Sequence, residues 1–371
     1  MANEVDPIGS ASEAIRQPDF RCENHCIIVI GASAGGVEAL QRLVAGLPAD
    51  LPAAVFIVLH VGSTSHLAEI LDRAGPLPAS NAGNGDAIEL GQIYVAPPEA
   101  HLLLHDGHMM LRRGPRENLV RPSIDPLFRS AAVGFGGHVI GVILTGGLSD
   151  GTAGLRAIKT CGGISVIQDP ADAAVPDMVL SALRNVEIDH CVPLAEMPDL
   201  LIRLAREKAA ETPEIPSRIL FEVAIAAQEH GSMETEDRLG DLSVFVCPEC
   251  HGPLWEIKDG PMLRYRCHTG HAFTAEAMVE AQTIEAEQIL WSLLRVHQQR
   301  AEFARRMARK EGAVNHGELA AQLQKRADDY QADADLVEKI IRDRRLLTLG
   351  ALPEESATDG RKAENGPAER E

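Results

Sequence analysis

Aromatic side chains are scarce. Phe, Tyr and Trp supply 4% of the 371 residues, against 45% for all hydrophobic types together. A sizeable core is available, but it must be built from small and branched aliphatic groups. Basic charge is also in deficit: 35 Lys and Arg stand against 54 Asp and Glu, a formal charge of −19. That balance argues against nucleic acid as a partner, because phosphate recognition needs a basic face. No run approaches the roughly 20 apolar residues of a membrane span. The opening "MANEVDPIGSASEAIRQPDF" has neither the basic start nor the apolar stretch of a secretory signal. A cytoplasmic protein without direct membrane insertion is expected. The seven cysteines lack the spacing of a disulfide scaffold, and Cys247, Cys250 and Cys267 fall instead into a metal-like pattern.

What is present is a long alternation of apolar runs and helical patterns. Strands are predicted at 26–30, 53–59, 92–97, 101–105, 108–113, 138–146 and 163–168. Helices are predicted at 35–46, 65–74, 125–135, 152–160, 176–184 and 196–208. Near-continuous apolar strands separated by helices imply an α/β fold, a doubly wound, mostly parallel sheet in three α/β/α layers. The pair at 101–113 turns at "DGH" and reads as a hairpin. This domain is expected over 25–206, a linker over 207–243, a Cys/His module over 244–274 and a helical hairpin over 275–348. Residues 1–24 and 349–371 read as disordered tails.

The stretch "IIVIGASAGGVEAL" (27–40) admits two chemistries. A dinucleotide turn needs G-x-G-x-x-G, with a bare second glycine where the pyrophosphate approaches. Ser33 occupies that place, no acidic residue follows the next strand, and no Lys completes a phosphate loop. The same residues fit G-x-S-x-G, a sharp strand-to-helix turn that exposes a serine oxygen beside a helix N-terminus. Alone the pentapeptide is a weak signal, since a Gly/Ser turn that merely starts a helix reads the same way. Its company strengthens it. His60 directly follows one buried strand and Asp150 closely follows another. In an open parallel sheet the strand C-termini form one rim, where a nucleophile, a base and an orienting acid can meet.

"CPECHGPLWEIKDGPMLRYRCHTGH" places Cys247 and Cys250 at C-x₂-C, with sixteen residues between Cys250 and Cys267 and His271 at C-x₃-H. Two such knuckles around a hairpin suit a closed, structural, tetrahedral zinc site. His268 and His251 are rival ligands. About 30 residues bury little core, so metal is expected to fold the module.

Six ordered motifs, "GASAGG", "LHVGSTSHLAEIL", "IYVAPPEAHLLL", "RPSIDPLFRSAA", "LTGGLSDGTAGL" and "VIQDPADAAVPDM", resemble the catalytic domain of the chemotaxis protein-glutamate methylesterases, the CheB family. The resemblance implies hydrolysis of glutamate methyl esters on helical chemoreceptors, with glutamine deamidation alongside and no catalytic cofactor. It carries the family's serine, histidine and aspartate onto Ser33, His60 and Asp150, and makes the Ala34 amide a candidate oxyanion donor. Ala34 stands where Thr is usual, and Gly147 where Met is usual, so the pocket wall beside any Gly147 amide donor differs. Many members carry an N-terminal receiver domain. Only about 25 residues precede the first strand here, so control by an own receiver is not expected. Arg121 and Ser123 are candidates for lining a substrate groove, and Asp125 with Pro126 reads as an N-cap followed by Pro at N1. His66 reads as a surface residue. A rival reading is an inactive adaptor whose C-terminal region binds a signalling partner.

Overall fold

The computed structural model describes residues 26–60, 66–228 and 240–343; both expected tails fall outside them. The chain divides into two compact units, one up to Ala281 and one from Gln282 onward.

Seven strands form one wholly parallel sheet: β1 (Cys26–Ala32), β2 (Ala53–Leu59), β3 (Ala79–Asn81), β4 (Ile93–Val95), β7 (Val139–Ile143), β8 (Ile164–Gln168) and β9 (His190–Val192). Their order is β3-β4-β2-β1-β7-β8-β9. The helices are α1 (Gly36–Ala45), α2 (Leu67–Ala74), α3 (Ile124–Phe135), α4 (Thr152–Thr160), α5 (Asp177–Asn185) and α6 (Met197–Leu204). Strand residues alternate faces, and each face has its own core. Ile28, Ile30, Val55 and Ile57 pack with Leu40 and Leu43 of α1, Leu71 of α2 and Leu201 of α6. Ile27, Val29, Phe56 and Val58 pack with Phe128 of α3, Leu155 of α4 and Met178 of α5. The expected doubly wound, three-layer architecture is what the chain adopts. β5 (His101–His105) and β6 (His108–Arg112) form the expected hairpin as a separate two-stranded sheet.

The chain leaves β1 toward β2 on one side, while β7 lies on the other. The C-terminal ends of β1 and β7 therefore flank the topological switch point, where open α/β sheets hold their ligands. Ser33 follows β1 directly, and its N–H reaches across to the Thr145 carbonyl at 2.9 Å.

The stretch expected as a linker contains a twelve-residue helix, α7 (Ser217–Gln228). Charge and two prolines at 207–216 disguise its onset. The helix forms because Ile219 and Ile225 are buried, and because Glu222 has buried cationic partners that come from later in the chain. Beyond it, β10 (Gly240–Val246), β11 (Pro253–Asp259), β12 (Met262–Cys267) and β13 (Ala272–Thr274) make an antiparallel sheet. This module lies in the same compact unit as the large sheet. Helix α8 (Ala275–Ala313) starts there, with Ala277, Met278 and Ala281 in the module's core.

In the second unit α8 and α9 (Gly317–Arg342) pair through Leu294, Ala334 and Val337. The Arg300 guanidinium lies 4.2 Å from the Tyr330 ring centroid and donates to the Tyr330 hydroxyl at 3.0 Å. Among the described residues, no helix is long and apolar enough to cross a membrane.

Candidate active site and metal cluster

β1 and β2 run in register from Cys26↔Ala53 to Ala32↔Leu59, so Ser33 and His60 emerge side by side. The turn after β1 is tight for two reasons that favour glycine. Gly35 sits at φ +76°, the left-handed region. Gly146 approaches so closely that a Cβ there would stand 2.8 Å from the Ser33 Cβ and 2.1 Å from the Met178 sulfur. His60 Nε2 hydrogen-bonds Asp150 Oδ2 at 2.8 Å. Ser33 is half-buried on the same rim, and among the described residues its hydroxyl makes no hydrogen bond to the ring. Catalytic contacts of this kind commonly tighten only around substrate.

Asp150 is buried and surrounded by donors. Besides His60, it accepts from the Ser123 hydroxyl at 2.8 Å, the Ile124 N–H at 2.7 Å and the Asn118 amide at 2.8 Å. Burial alone would push its carboxyl up, but the His60 contact and these hydrogen bonds win and hold it below the ordinary range. Asp125 behaves oppositely. Burial, reinforced by the Asp150 charge, pushes it up to about 7. The two carboxylates cap each other's helices. Asp150, just ahead of α4, accepts the first N–H of α3, while Asp125 in α3 accepts the Gly154 N–H in the first turn of α4 at 2.6 Å.

This corrects the expected N-cap. α3 starts at Ile124 with Ser123 at the cap position, so Asp125 and Pro126 lie one and two residues inside the helix. Proline is tolerated there because N–H groups of the first turn have no intrahelical partner. Ser123 is buried against Asp150 rather than facing a groove. Arg121 donates to the Gly114 carbonyl at 2.6 Å and pairs with Glu99 at 3.0 Å. His66 is the exposed residue before α2, 3.1 Å from Glu69. The Ser33 N–H and the Gly146 N–H are both consumed, by Thr145 and Val175. Among the described residues, the N–H groups of Ala34 and Gly147 have no partner. Asn118 carried no sequence signal beyond being polar, and its role emerges only from its contacts.

Cys247, Cys250, Cys267 and His271 bring one donor atom each to within 4.8 Å of one another. Cys250 and Cys267 sulfurs are 3.5 Å apart, and His271 Nδ1 lies 3.4 Å from Cys267 and 3.8 Å from Cys247. A tetrahedral site with metal–sulfur bonds near 2.3 Å has edges of about 3.8 Å, so the donor set fits such an ion. His271 Nε2 faces Glu249 at 3.3 Å, the carboxylate partner that typically orients a ligating imidazole. His251 and His268 stand outside the group.

The module is joined to the large sheet by buried ions. Glu117 pairs with Arg129 and with Arg266 at 3.0 Å. Glu222 of α7 pairs with Arg264, and with Arg266 at 3.3 Å and Arg129 at 3.5 Å. Asp259 holds Arg264 at 3.0 Å and Arg156 of α4 at 3.0 Å. Burial pushes the Glu117 carboxyl up, but Arg129 and Arg266 pull it down to about 2 from an ordinary 4.5. Because the folded value lies below the unfolded one, its stabilisation is complete above pH 4.5 and is lost as pH falls toward 2. The melting temperature should therefore drop steeply between those limits, and Glu117→Gln should flatten that limb in calorimetry. A variant with the same acid limb as the parent would contradict this.

Residues 28–201 match the family model described as CheB methylesterase. The chain is 40% identical over 182 residues to a protein-glutamate methylesterase/protein-glutamine glutaminase of Anaeromyxobacter dehalogenans, covering 48% of this chain and 53% of that protein. It is 39% identical over 184 residues to a putative protein of the same designation from Leptospira interrogans, covering 49% of this chain and 95% of that one. The solved CheB methylesterase catalytic domain of Thermotoga maritima is 33% identical, with a TM-score of 0.47 over 48% of this chain and 98% of that domain. The match thus spans about half of the Anaeromyxobacter protein, and the family match ends before the Cys/His module begins.

Proposed function

The chain belongs to the CheB methylesterase family, and from that premise we propose that it is a serine hydrolase acting on glutamate γ-methyl esters of a chemoreceptor-like helical protein. The same site would deamidate glutamine. The observation that carries the reading is the 2.8 Å His60–Asp150 hydrogen bond beside Ser33 at the switch point.

Ser33 Oγ attacks the ester carbonyl carbon as its proton passes to the edge of the His60 ring opposite Asp150. Asp150, held ionised by its donors, fixes the ring and stabilises the imidazolium. The carbonyl oxygen gains charge near the N–H groups of Ala34 and Gly147, which the neighbouring amides' own bonds leave available. The C–OCH₃ bond then breaks, and His60 gives its proton to the departing methanol. Water, deprotonated by His60, attacks the acyl carbon; the C–Oγ bond breaks, His60 returns the proton to Ser33 Oγ, and a glutamate carboxylate is left. Transfer of this kind contributes roughly 10²–10⁴-fold in rate. Gly147 itself contributes no side chain to the rim.

Zinc suits the Cys247, Cys250, Cys267 and His271 donors; it would cross-link two turns of the chain and supply folding free energy rather than ester chemistry. Methanol release from a methylated receptor fragment tests the hydrolase reading. Turnover together with labelling of Ser33 by a fluorophosphonate supports it. A folded protein that neither releases methanol nor labels at Ser33 refutes it and favours the adaptor.

A further inference from the structure

Between the metal cluster and Asp150 runs a short route of bonds. His271, a cluster ligand, is followed directly by Ala272. The Ala272 carbonyl accepts the Asn118 N–H at 2.8 Å, and its N–H reaches the Arg116 carbonyl at 3.3 Å. Residues 116–118 thus run alongside Ala272 in a single parallel bridge. Two residues on, the Thr274 N–H donates to Asn118 Oδ1 at 3.1 Å. β13 therefore grips Asn118 by its backbone and by its side-chain oxygen. That grip leaves the Asn118 amide nitrogen with two hydrogens, and it donates one to Asp150 at 2.8 Å and one to Asp125 at 2.9 Å. A parallel contact joins the Ser149 hydroxyl, next to Asp150, to the Thr274 hydroxyl at 2.6 Å.

Asn118 does not hold this pose by its own backbone preference. It sits at φ +52°, and Leu119 follows at φ +70°. Consecutive left-handed residues without glycine are disfavoured and persist only where the surroundings impose them. Here the imposing element is a three-residue strand in a module whose core is small: Leu254, Tyr265, Phe273 and the start of α8, with ligands Cys247 and Cys267 among them. A core of that size with four converging metal donors depends on the metal for its order. The consequence reaches the large sheet. Asp150 and Asp125 are two buried carboxylates separated by the amide of Asn118. If Asn118 is released, their repulsion is no longer offset there, and the oxygen that holds His60 loses one of its anchors.

We infer that metal occupancy of the Cys247/Cys250/Cys267/His271 cluster sets the geometry of Asp150 through β13, with Asn118 as the positioning residue. The chain is then a metal-conditional hydrolase in which the metal never touches the ester. The activity consequence rests on the proposed hydrolase reading; the structural coupling does not.

The test uses the full chain, stripped with a chelator under reducing conditions and reloaded with Zn²⁺. Hydrogen exchange at the Asn118 and Ile124 amides reports the route without reference to turnover. Stripping should speed exchange at both, leave β1 and β2 protected, and lower kcat about 10- to 100-fold with KM nearly unchanged, the size expected for losing a hydrogen bond to a buried charge. Zn²⁺ should reverse all three. Asn118→Ala with zinc fully bound should show the same selective fall in kcat. Unchanged exchange at Asn118 and Ile124 on stripping overturns the inference. So does a zinc-loaded Asn118→Ala protein with parental kcat, or exchange that rises equally in β1 and β2, which would mean global loosening. If exchange responds to zinc but the loaded parent releases no methanol, the coupling stands and the hydrolase assignment falls.

Discussion

Ser33→Ala should abolish methanol release, lowering kcat by at least about 10³-fold, to the residue that substrate binding and oxyanion donors alone support. The same change should leave the melting temperature nearly where it was. Both halves follow from how the serine is held. Its N–H donates to Thr145 and its carbonyl accepts from Gly36 at 2.8 Å, and alanine keeps both. Its Cβ, against which Gly146 is packed, is also kept. Only the hydroxyl goes, from a half-buried position on the rim, so no buried donor is orphaned. Asp150 offers no such clean separation, because its oxygens satisfy a helix N-terminus and two buried side chains as well as His60. Single-turnover methanol release and calorimetry on the same preparation check the pair of expectations. A variant that folds and still releases methanol at the parental rate removes Ser33 from the chemistry.

The parts of this structure legible in the sequence are those governed by local pattern. β1, β2, β7 and β8 are buried on both faces, so each is written as an almost unbroken apolar run. β3 and β9 are three-residue strands at the sheet's two edges, partly or fully exposed, and nothing in "ASN" or "HCV" announces them. The residues that hold the candidate site together were illegible for a different reason. Asn118 meets Asp150 across 32 positions and Thr274 across 156, so neither contact leaves a trace in local spacing. Asp125 shows how a correct local rule can mislead. An acidic residue before Pro reads as a cap, yet its carboxylate is drawn to the neighbouring helix, where a buried N–H needs it.

Glu222→Ala should be strongly destabilising to the chain's first unit. The carboxylate sits on a helix that composition alone assigns to a linker, yet it is 1% exposed and faces three guanidinium groups, of Arg264, Arg266 and Arg129. Burial would raise it; those cations hold it far below the ordinary carboxylate range instead. Removing it takes a carboxylate away from all three buried Arg side chains, and leaves Glu117 paired with Arg129 and Arg266 and Asp259 paired with Arg264. Breaking a buried pair from one side costs on the order of 3–5 kcal/mol, because the charges left behind are out of water and have lost one of their partners. In a unit of this size about 2–4 °C of melting temperature goes with each kcal/mol, so a fall of roughly 10 °C is expected. Since the cluster draws its members from the large sheet's helices, from α7 and from β11 and β12, that fall should come as one cooperative transition and not as early loss of the metal module alone. Calorimetry with zinc release followed in parallel checks it: zinc lost well before the main transition would mean that the ions do not bind the two parts into one folding unit.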